Sequence, residues 1–206
     1  SCRGAHKSAP LPLRTRRRRA DTMGMPAHDA TYYTVDEVLA FPNDGQKYEL
    51  AYGKLLVSPS QLFRHQRIVM RLAMPLVEYC ERHGVGEVFN VEADLTWGRQ
   101  DVLTQPDVFV IGAEDSAVRA WADVRRVSLI AEVLSPSSRT HDRFDKRRVF
   151  QDRAVGLYWI IDPVERSAEV WTPQAQFPVR EHESLTWTPA GVTEPFSVSL
   201  GELLAD

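Results

Sequence analysis

The sequence predicts an α/β domain built around a mixed β-sheet, and two kinds of segment support this. Short apolar runs such as VFVIG (108–112) and LYWII (157–161) have the continuous hydrophobicity of strands covered on both faces. Helical patterns lie between such runs, and the longest extends from Phe63 to His83. A length of 206 residues, of which 43% are hydrophobic, suits one domain with an adequate core.

The first patterned segments predict a short helix and a β-hairpin. TVDEVLAFPNDG begins with Thr34 as the N-cap, and Glu37 follows three positions later as its capping-box partner. KYELAYGKLLVSP (47–59) alternates apolar and polar residues around Gly53, which suits a hairpin turn. The domain is therefore expected to open with a helix and a hairpin.

A long amphipathic helix is predicted over Phe63–His83. Its apolar residues Ile68, Leu72, Leu76 and Tyr79 recur at three- and four-residue spacings, and Gly84 is a good C-cap residue.

Five strands and one basic helix are predicted after the long helix. The helix extends from about His141 to Ala154 and ends before Gly156. The predicted strands are EVFNVEADLTW, QPDVFVIG, VSLIAEVLS, GLYWIIDP and SAEVWTP.

Charge is distributed unevenly along the chain. Residues 1–21 carry seven Lys or Arg and one acid, whereas the remainder carries 18 bases against 27 acids, a net charge of −9. We expect residues 1–22 to be a disordered basic tail outside a folded domain of residues 23–206. Because Met23 and Met25 precede the first pattern, a non-native segment upstream explains the tail as well as a nucleic-acid-binding arm does.

Cysteine usage and hydropathy bear on location. Cys2 and Cys80 are far apart and have no metal-binding spacing, which argues against a disulfide framework and a zinc site. No apolar run approaches the roughly 18 residues of a membrane helix. We therefore expect a cytoplasmic protein without a membrane partner.

Two acids lie on strands that read as buried. Asp107 precedes VFVIG, and Glu132 lies within LIAEVL. A buried carboxylate is strongly disfavoured unless a cation meets it, and Mg²⁺, which Mn²⁺ can replace, prefers carboxylate oxygens. If the two strands are neighbours, Asp107 and Glu132 can share one ion.

Asp142 and Lys146 lie one turn apart on the basic helix and therefore share a face. Lys146 can then point toward the strand ends, with Asp142 fixing it or binding the metal through water. Two carboxylates, a lysine and Mg²⁺ are what phosphodiester hydrolysis requires. The residues thus predict a nuclease.

Other interpretations of these residues stay open. Asp107, after Pro106, could be a turn residue at the entry to a strand, and Glu132 could form a structural ion pair with Arg139 or Lys146. Lys146 alone would suit a solvated helix face.

Six short motifs follow one another along the chain: YEL, PS with a following His, PDV, EVLSPSS, D with a following K, and GLYWIIDP. Their order resembles that of the Uma2 family of restriction endonucleases, within the PD-(D/E)XK superfamily. The resemblance covers roughly residues 32–205 and implies a restriction-endonuclease-like core. It implies Asp107 and Glu132 as Mg²⁺ ligands and Glu49 as a further acid and metal ligand. The superfamily usually has its lysine two positions after the second acid, but this chain has Leu134 there. The resemblance places the lysine on the next helix, at Lys146.

His65 resembles the histidine of the first long helix, and we expect it to contact the edge of the site rather than to ligate the metal. DNA is the expected substrate and a homodimer the expected assembly. Two alternatives remain: a catalytically inactive nucleic-acid-binding or assembly module with the same fold, and a metal-dependent hydrolase of small phosphoesters. The acidic net charge favours the first alternative, although basic residues cluster at Arg139–Arg148.

Overall fold

The computed structural model describes residues 31–90, 93–115 and 117–205. The predicted tail, residues 1–22, lies outside these ranges. Four α-helices are seen in the described residues: α1 Val35–Leu39, α2 Phe63–His83, α3 Arg147–Asp152 and α4 Leu200–Leu203. The strands are β1 Gln46–Ala51, β2 Lys54–Pro59, β3 Gly86–Phe89, β4 Val102–Leu103, β5 Val108–Gly112, β6 Val127–Val133, β7 Leu157–Asp162, β8 Ser167–Trp171, β9 Val179–Glu181, β10 Ser184–Trp187 and β11 Phe196–Ser199.

The main sheet is mixed, as the sequence predicts. Its six strands lie in the order β3, β5, β6, β7, β8, β9. β6 and β7 pair in parallel, and the other neighbours pair antiparallel. A smaller sheet has the order β2, β1, β4, and β10 pairs with β11.

The predicted helix, hairpin and long helix are confirmed. Thr34 and Glu37 form the capping box at the start of α1. Tyr52 and Gly53 connect β1 to β2 with φ values of 54° and 78°, which is the turn that suits the twist of a two-residue hairpin. α2 has the predicted bounds and ends at Gly84 in the left-handed conformation.

Three predictions about the remaining elements need correction. EVFNVEADLTW is not one strand, because β3 ends at Phe89 and Leu95 makes only an isolated bridge to Thr104. The basic helix begins as a π-helical segment, His141–Lys146, and α3 ends at Asp152 rather than at Ala154. Four further strands, β4, β9, β10 and β11, were not predicted because each has only two to four residues, too few to show a periodicity.

The two faces of the main sheet are covered by different elements. Leu129 and Ala131 of β6 pack on the α2 side, whereas Ile130 packs on the side of the hairpin and α3. Because side chains alternate along a strand, Glu132 lies on the same face as Ile130. The sheet thus directs this acid toward the hairpin and the basic helix.

We predict different costs for alanine at two nearby glycines. A Cβ at Gly86 (φ +147°) would lie 2.1 Å from the backbone oxygen of Ile111, so β3 would have to move away from β5. A Cβ at Gly84 (φ +63°) would meet nothing within 4 Å. Gly84→Ala should cost about 1 kcal/mol in free energy of unfolding, and Gly86→Ala roughly 3 kcal/mol or more. Urea unfolding measures both, and equal losses would contradict this account.

Candidate active site

Asp107 and Glu132 lie side by side at one end of the sheet. β5 and β6 pair antiparallel with Val108 opposite Ala131, and one step further along this register Asp107 lies opposite Glu132. The backbone N–H of Val133 donates to Asp107 Oδ2 at 2.8 Å. Both acids are buried, so Asp107 is more than a turn residue at a strand entry.

Lys146 lies at the centre of a group of carboxylates. Its Nζ is 2.8 Å from Glu132 Oε1, 2.9 Å from Asp142 Oδ1 and 3.1 Å from Glu49 Oε2. Its side chain is only 3% exposed, which excludes the solvated-face interpretation. Of the two ion-pair partners considered for Glu132, Lys146 is the one observed, because Arg139 pairs with Asp162.

The π-helical segment brings Asp142 and Lys146 to the site. Within it the backbone N–H of Arg147 donates to the carbonyl of Asp142, five residues earlier. Tyr158 on β7 donates its hydroxyl to the same carbonyl at 3.2 Å. The start of the helix is thereby anchored to the sheet, with both side chains turned inward.

The hairpin adds Glu49 and a lysine that the sequence analysis missed. Lys47 and Glu49 are two residues apart on β1 and therefore share a face. The N–H of Gln105 donates to Glu49 Oε1 at 2.8 Å, and Lys47 donates to the carbonyl of Gln105. Lys47 Nζ is 3.9 Å from both Glu49 Oε2 and Asp107 Oδ1. The alternation along KYEL was the signal that could have identified Lys47.

Two side chains from α2 and the segment before it contact Asp107. His65 Nε2 lies 3.2 Å from Asp107 Oδ2, at the edge of the site as expected. Gln61, which was not predicted, donates from Nε2 to Asp107 Oδ1 at 2.8 Å. The structure therefore brings together all six residues singled out in the sequence: Glu49, His65, Asp107, Glu132, Asp142 and Lys146. Their catalytic and metal-binding roles stay predictions.

The buried charges shift one another's pKa values in opposite directions. Burial raises the pKa of Glu132, and Asp107 and Asp142 raise it further, so that Lys146 offsets only part of the effect. Burial also acts on Asp107, but contact with His65 and the charge of Lys47 hold the pKa of Asp107 below its usual value. Burial opposes the charge on Lys146, yet Asp142, Glu132 and Glu49 together raise its pKa well above the usual range. Glu132 is thus the carboxylate most in need of a further cation.

The site adjoins a cleft. A cavity of about 20 Å³, room for about one water molecule, is lined by residues that include Glu49, Asp107, Glu132 and Lys146. Beside it lies a cleft of about 530 Å³, and four residues line both spaces: Lys47, Pro59, Gln61 and Asp107. A molecule at this end of the cleft would therefore lie close to the side chains of the site.

Comparison with known proteins is consistent with this architecture. A crystal structure described as that of "a putative nuclease belonging to DUF820" from Anabaena variabilis ATCC 29413 superimposes with a TM-score of 0.70. The match covers 83% of this chain and 97% of that chain at 22% sequence identity, a level at which the likeness concerns the fold. A comparison with curated proteins finds no similar sequence.

The family model for Uma2, described as "Putative restriction endonuclease", matches residues 35–199. This range contains every element from α1 to β11 and all of the residues gathered around Lys146. Because the match spans well over half of the chain, the protein belongs to the Uma2 family.

Proposed function

We propose that the protein is an endonuclease that hydrolyses phosphodiester bonds in DNA with the help of Mg²⁺, for which Mn²⁺ can substitute. The observation that carries the proposal is the charge of the buried site. The carboxylates of Glu49, Asp107, Glu132 and Asp142 face the two ammonium groups of Lys47 and Lys146, an excess of two negative charges when all are ionised. A divalent cation offsets this excess.

The donor set fits a hard cation. Carboxylate oxygens are the ligands that Mg²⁺ prefers, and the cavity between them has room for one water or ion. In the described parts of the chain no three His, Cys, Asp or Glu side chains form an open metal site, and Lys146 Nζ itself lies between three carboxylates. Asp107 and Glu132, with Glu49, would hold the metal once Lys146 releases at least one of them. When bound, the metal lowers the pKa of a water molecule and neutralises charge on the phosphate.

Lys146 acts in this proposal as a positive charge. In the metal-free site the carboxylates of Asp142, Glu132 and Glu49 raise the pKa of Lys146 well above its usual range, so its ammonium group is available to donate to a phosphate oxygen. Asp142 fixes the direction of the ammonium group through a contact of 2.9 Å.

Lys47 would contact the substrate in this proposal. It is 17% exposed, whereas Lys146 is 3% exposed, and it lines the cleft as well as the cavity. An ammonium group in this position can bind the phosphate that precedes or follows the scissile bond. The carboxylate of Asp107 is held by three contacts, with His65, Gln61 and the backbone N–H of Val133.

The inactive module is the second candidate, and the cleft itself favours it. The charged residues that line the cleft are Lys47, Asp94 and Asp107, so this surface does not attract a polyanion. In addition, the three contacts of Lys146 would suit a permanent structural ion cluster.

Cleavage of supercoiled plasmid by the full chain tests the proposal. With Mg²⁺ or Mn²⁺ the wild type should nick or linearise DNA, and EDTA should abolish the reaction. Asp107→Asn, Glu132→Gln and Lys146→Met should each lower the rate by at least about 100-fold, because each removes a charge that acts at the phosphate or the metal. Phe177→Ser, an exposed change outside the site, should leave the rate unchanged.

Circular dichroism must show that each variant is folded. Equal cleavage by the wild type and all three site variants would contradict the assignment of the site. No cleavage of duplex DNA, single-stranded DNA or RNA by the wild type would favour the inactive module.

Thermal unfolding of Lys146→Met tests the competition between lysine and metal. Without metal this variant should melt below the wild type, because it leaves three buried carboxylates without their ammonium partner. A metal that binds only the folded state raises the Tm. Saturating Mn²⁺ should raise the Tm of this variant by more than that of the wild type, because no lysine competes with the metal for the carboxylates. Equal Tm shifts in the variant and the wild type would contradict a competition between Lys146 and the metal. A Lys146→Met/Glu132→Gln double variant should lose most of the additional rise in Tm.

Stability in EDTA should depend on pH in opposite ways for two acids. Burial raises the pKa of Glu132 above 4.5, so its ionisation costs stability as the pH rises from that value. Glu132→Gln should therefore melt above the wild type at pH 7.5, and this difference in Tm should close as the pH falls toward 4.5. The pKa of Asp107 is lowered below 3.8, so its charge stabilises the fold above that value. Asp107→Asn should melt below the wild type at pH 7.5, and this gap should narrow as the pH falls below 3.8. Gaps of the same sign for both variants would contradict these directions.

A further inference from the structure

An exposed apolar stripe extends along the outer face of α2. It consists of Phe63, Met70, Met74 and Val77, which are 77%, 45%, 60% and 36% exposed. The opposite face of α2, with Ile68, Leu72 and Leu76, is buried against the main sheet. The outer stripe is therefore not needed for the fold of one chain.

The spacing of the outer stripe is that of a helix that packs against another helix. Phe63, Arg67, Met70, Met74 and Val77 follow one another at intervals of four, three, four and three residues, the pattern of a coiled-coil seam. Arg67 extends the seam because its guanidinium lies over the Phe63 ring, 4.9 Å from the ring centroid. Of the twelve large apolar side chains that are exposed in the described residues, five belong to α2 or the residue before it: Leu62, Phe63, Met70, Met74 and Val77. Such a concentration is typical of an interaction surface.

The charges beside the stripe indicate what covers it. Arg67, at one edge of the seam in the first half of α2, and Glu78, just outside the same edge in the second half, lie on the same side of the stripe by their helical positions. They are 11 residues apart, about 16 Å along the helix, which is too far for a pair within one chain. If two copies of α2 pack antiparallel about a two-fold axis near residues 72 and 73, Arg67 of each chain faces Glu78 of the other. A parallel arrangement would instead oppose like charges.

We infer that the outer stripe of α2 is the contact surface of a homodimer, in which two copies of this helix pack antiparallel about a two-fold axis. Met70 and Met74 lie nearest the axis, where flexible thioether side chains can adapt to their symmetry mates. The buried His65, which contacts Asp107, lies on the other face of α2. A single helical seam is a small interface, and we expect a dissociation constant in the micromolar range.

The inference is tested by analytical ultracentrifugation of the full chain between about 1 and 200 µM. The wild type should pass from monomer to dimer over this range. Met74→Glu should stay monomeric, because it places two carboxylates near the axis. Phe177→Glu, which adds the same charge at a side chain that is 82% exposed outside α2, should dimerise like the wild type. Unchanged circular dichroism and Tm show that Met74→Glu is folded.

A charge exchange tests the antiparallel orientation. Arg67→Glu and Glu78→Arg alone should each weaken dimerisation by about 10-fold, since each places like charges opposite one another twice in the dimer. The double variant should return to within about 3-fold of the wild type, which only a contact between residues 67 and 78 of different chains can produce.

A wild type that is monomeric at 200 µM, a Met74→Glu variant that dimerises, or a double variant weaker than either single one would overturn the inference. None of these outcomes depends on cleavage, so the inference and the proposed function fail separately.

Discussion

The ion cluster around Lys146 is the interaction on which the rest of the site depends. Three carboxylates within 3.1 Å of one ammonium group would repel one another without it, and Lys146 would be unstable as a cation in this buried position without them. The compensation is incomplete, since the pKa of Glu132 remains raised. A buried cluster that still lacks positive charge contributes little to stability, and we propose that it binds a divalent cation.

Several elements of the fold bring these charges together. The antiparallel register of β5 and β6 places Asp107 beside Glu132, and the alternation of side chains directs Glu132 away from α2. β1 contributes Glu49 from the opposite side. The π-helical segment then turns Lys146 and Asp142 into the gap between the strands and the hairpin. Three separate elements, namely β1, β6 and the π-helical segment, thus meet at one ammonium group, which explains why the motifs are far apart in the chain.

Much of this arrangement could be predicted from residue types and spacing. Glu132 stands out because an acid amid Ile130, Ala131 and Val133 needs a partner, and the four-residue spacing of Asp142 and Lys146 requires a common face. α1 and α2 have local signals, namely a capping box and a glycine C-cap. These predictions rest on short-range chemistry, which a sequence displays directly.

The features that were missed depend on tertiary contacts. Lys47 reads as a surface residue of a hairpin until Asp107 and Gln105 are seen beside it. Gln61 precedes α2 without a pattern, and its role follows only from its contact with Asp107. β9, β10 and β11 have three or four residues each, too few for a periodicity to be recognised. The π-helical hydrogen bond likewise has no local sequence signal.

The most direct test is a crystal structure of the protein soaked with Mn²⁺ at neutral pH, with anomalous scattering used to locate the metal. The account predicts one strong peak bonded to Asp107 and Glu132, with Lys146 Nζ moved away from at least one of its three carboxylates. Lys146 still in contact with all three carboxylates at saturating Mn²⁺, with no peak at the site, would contradict the central claim that this cluster is a metal site.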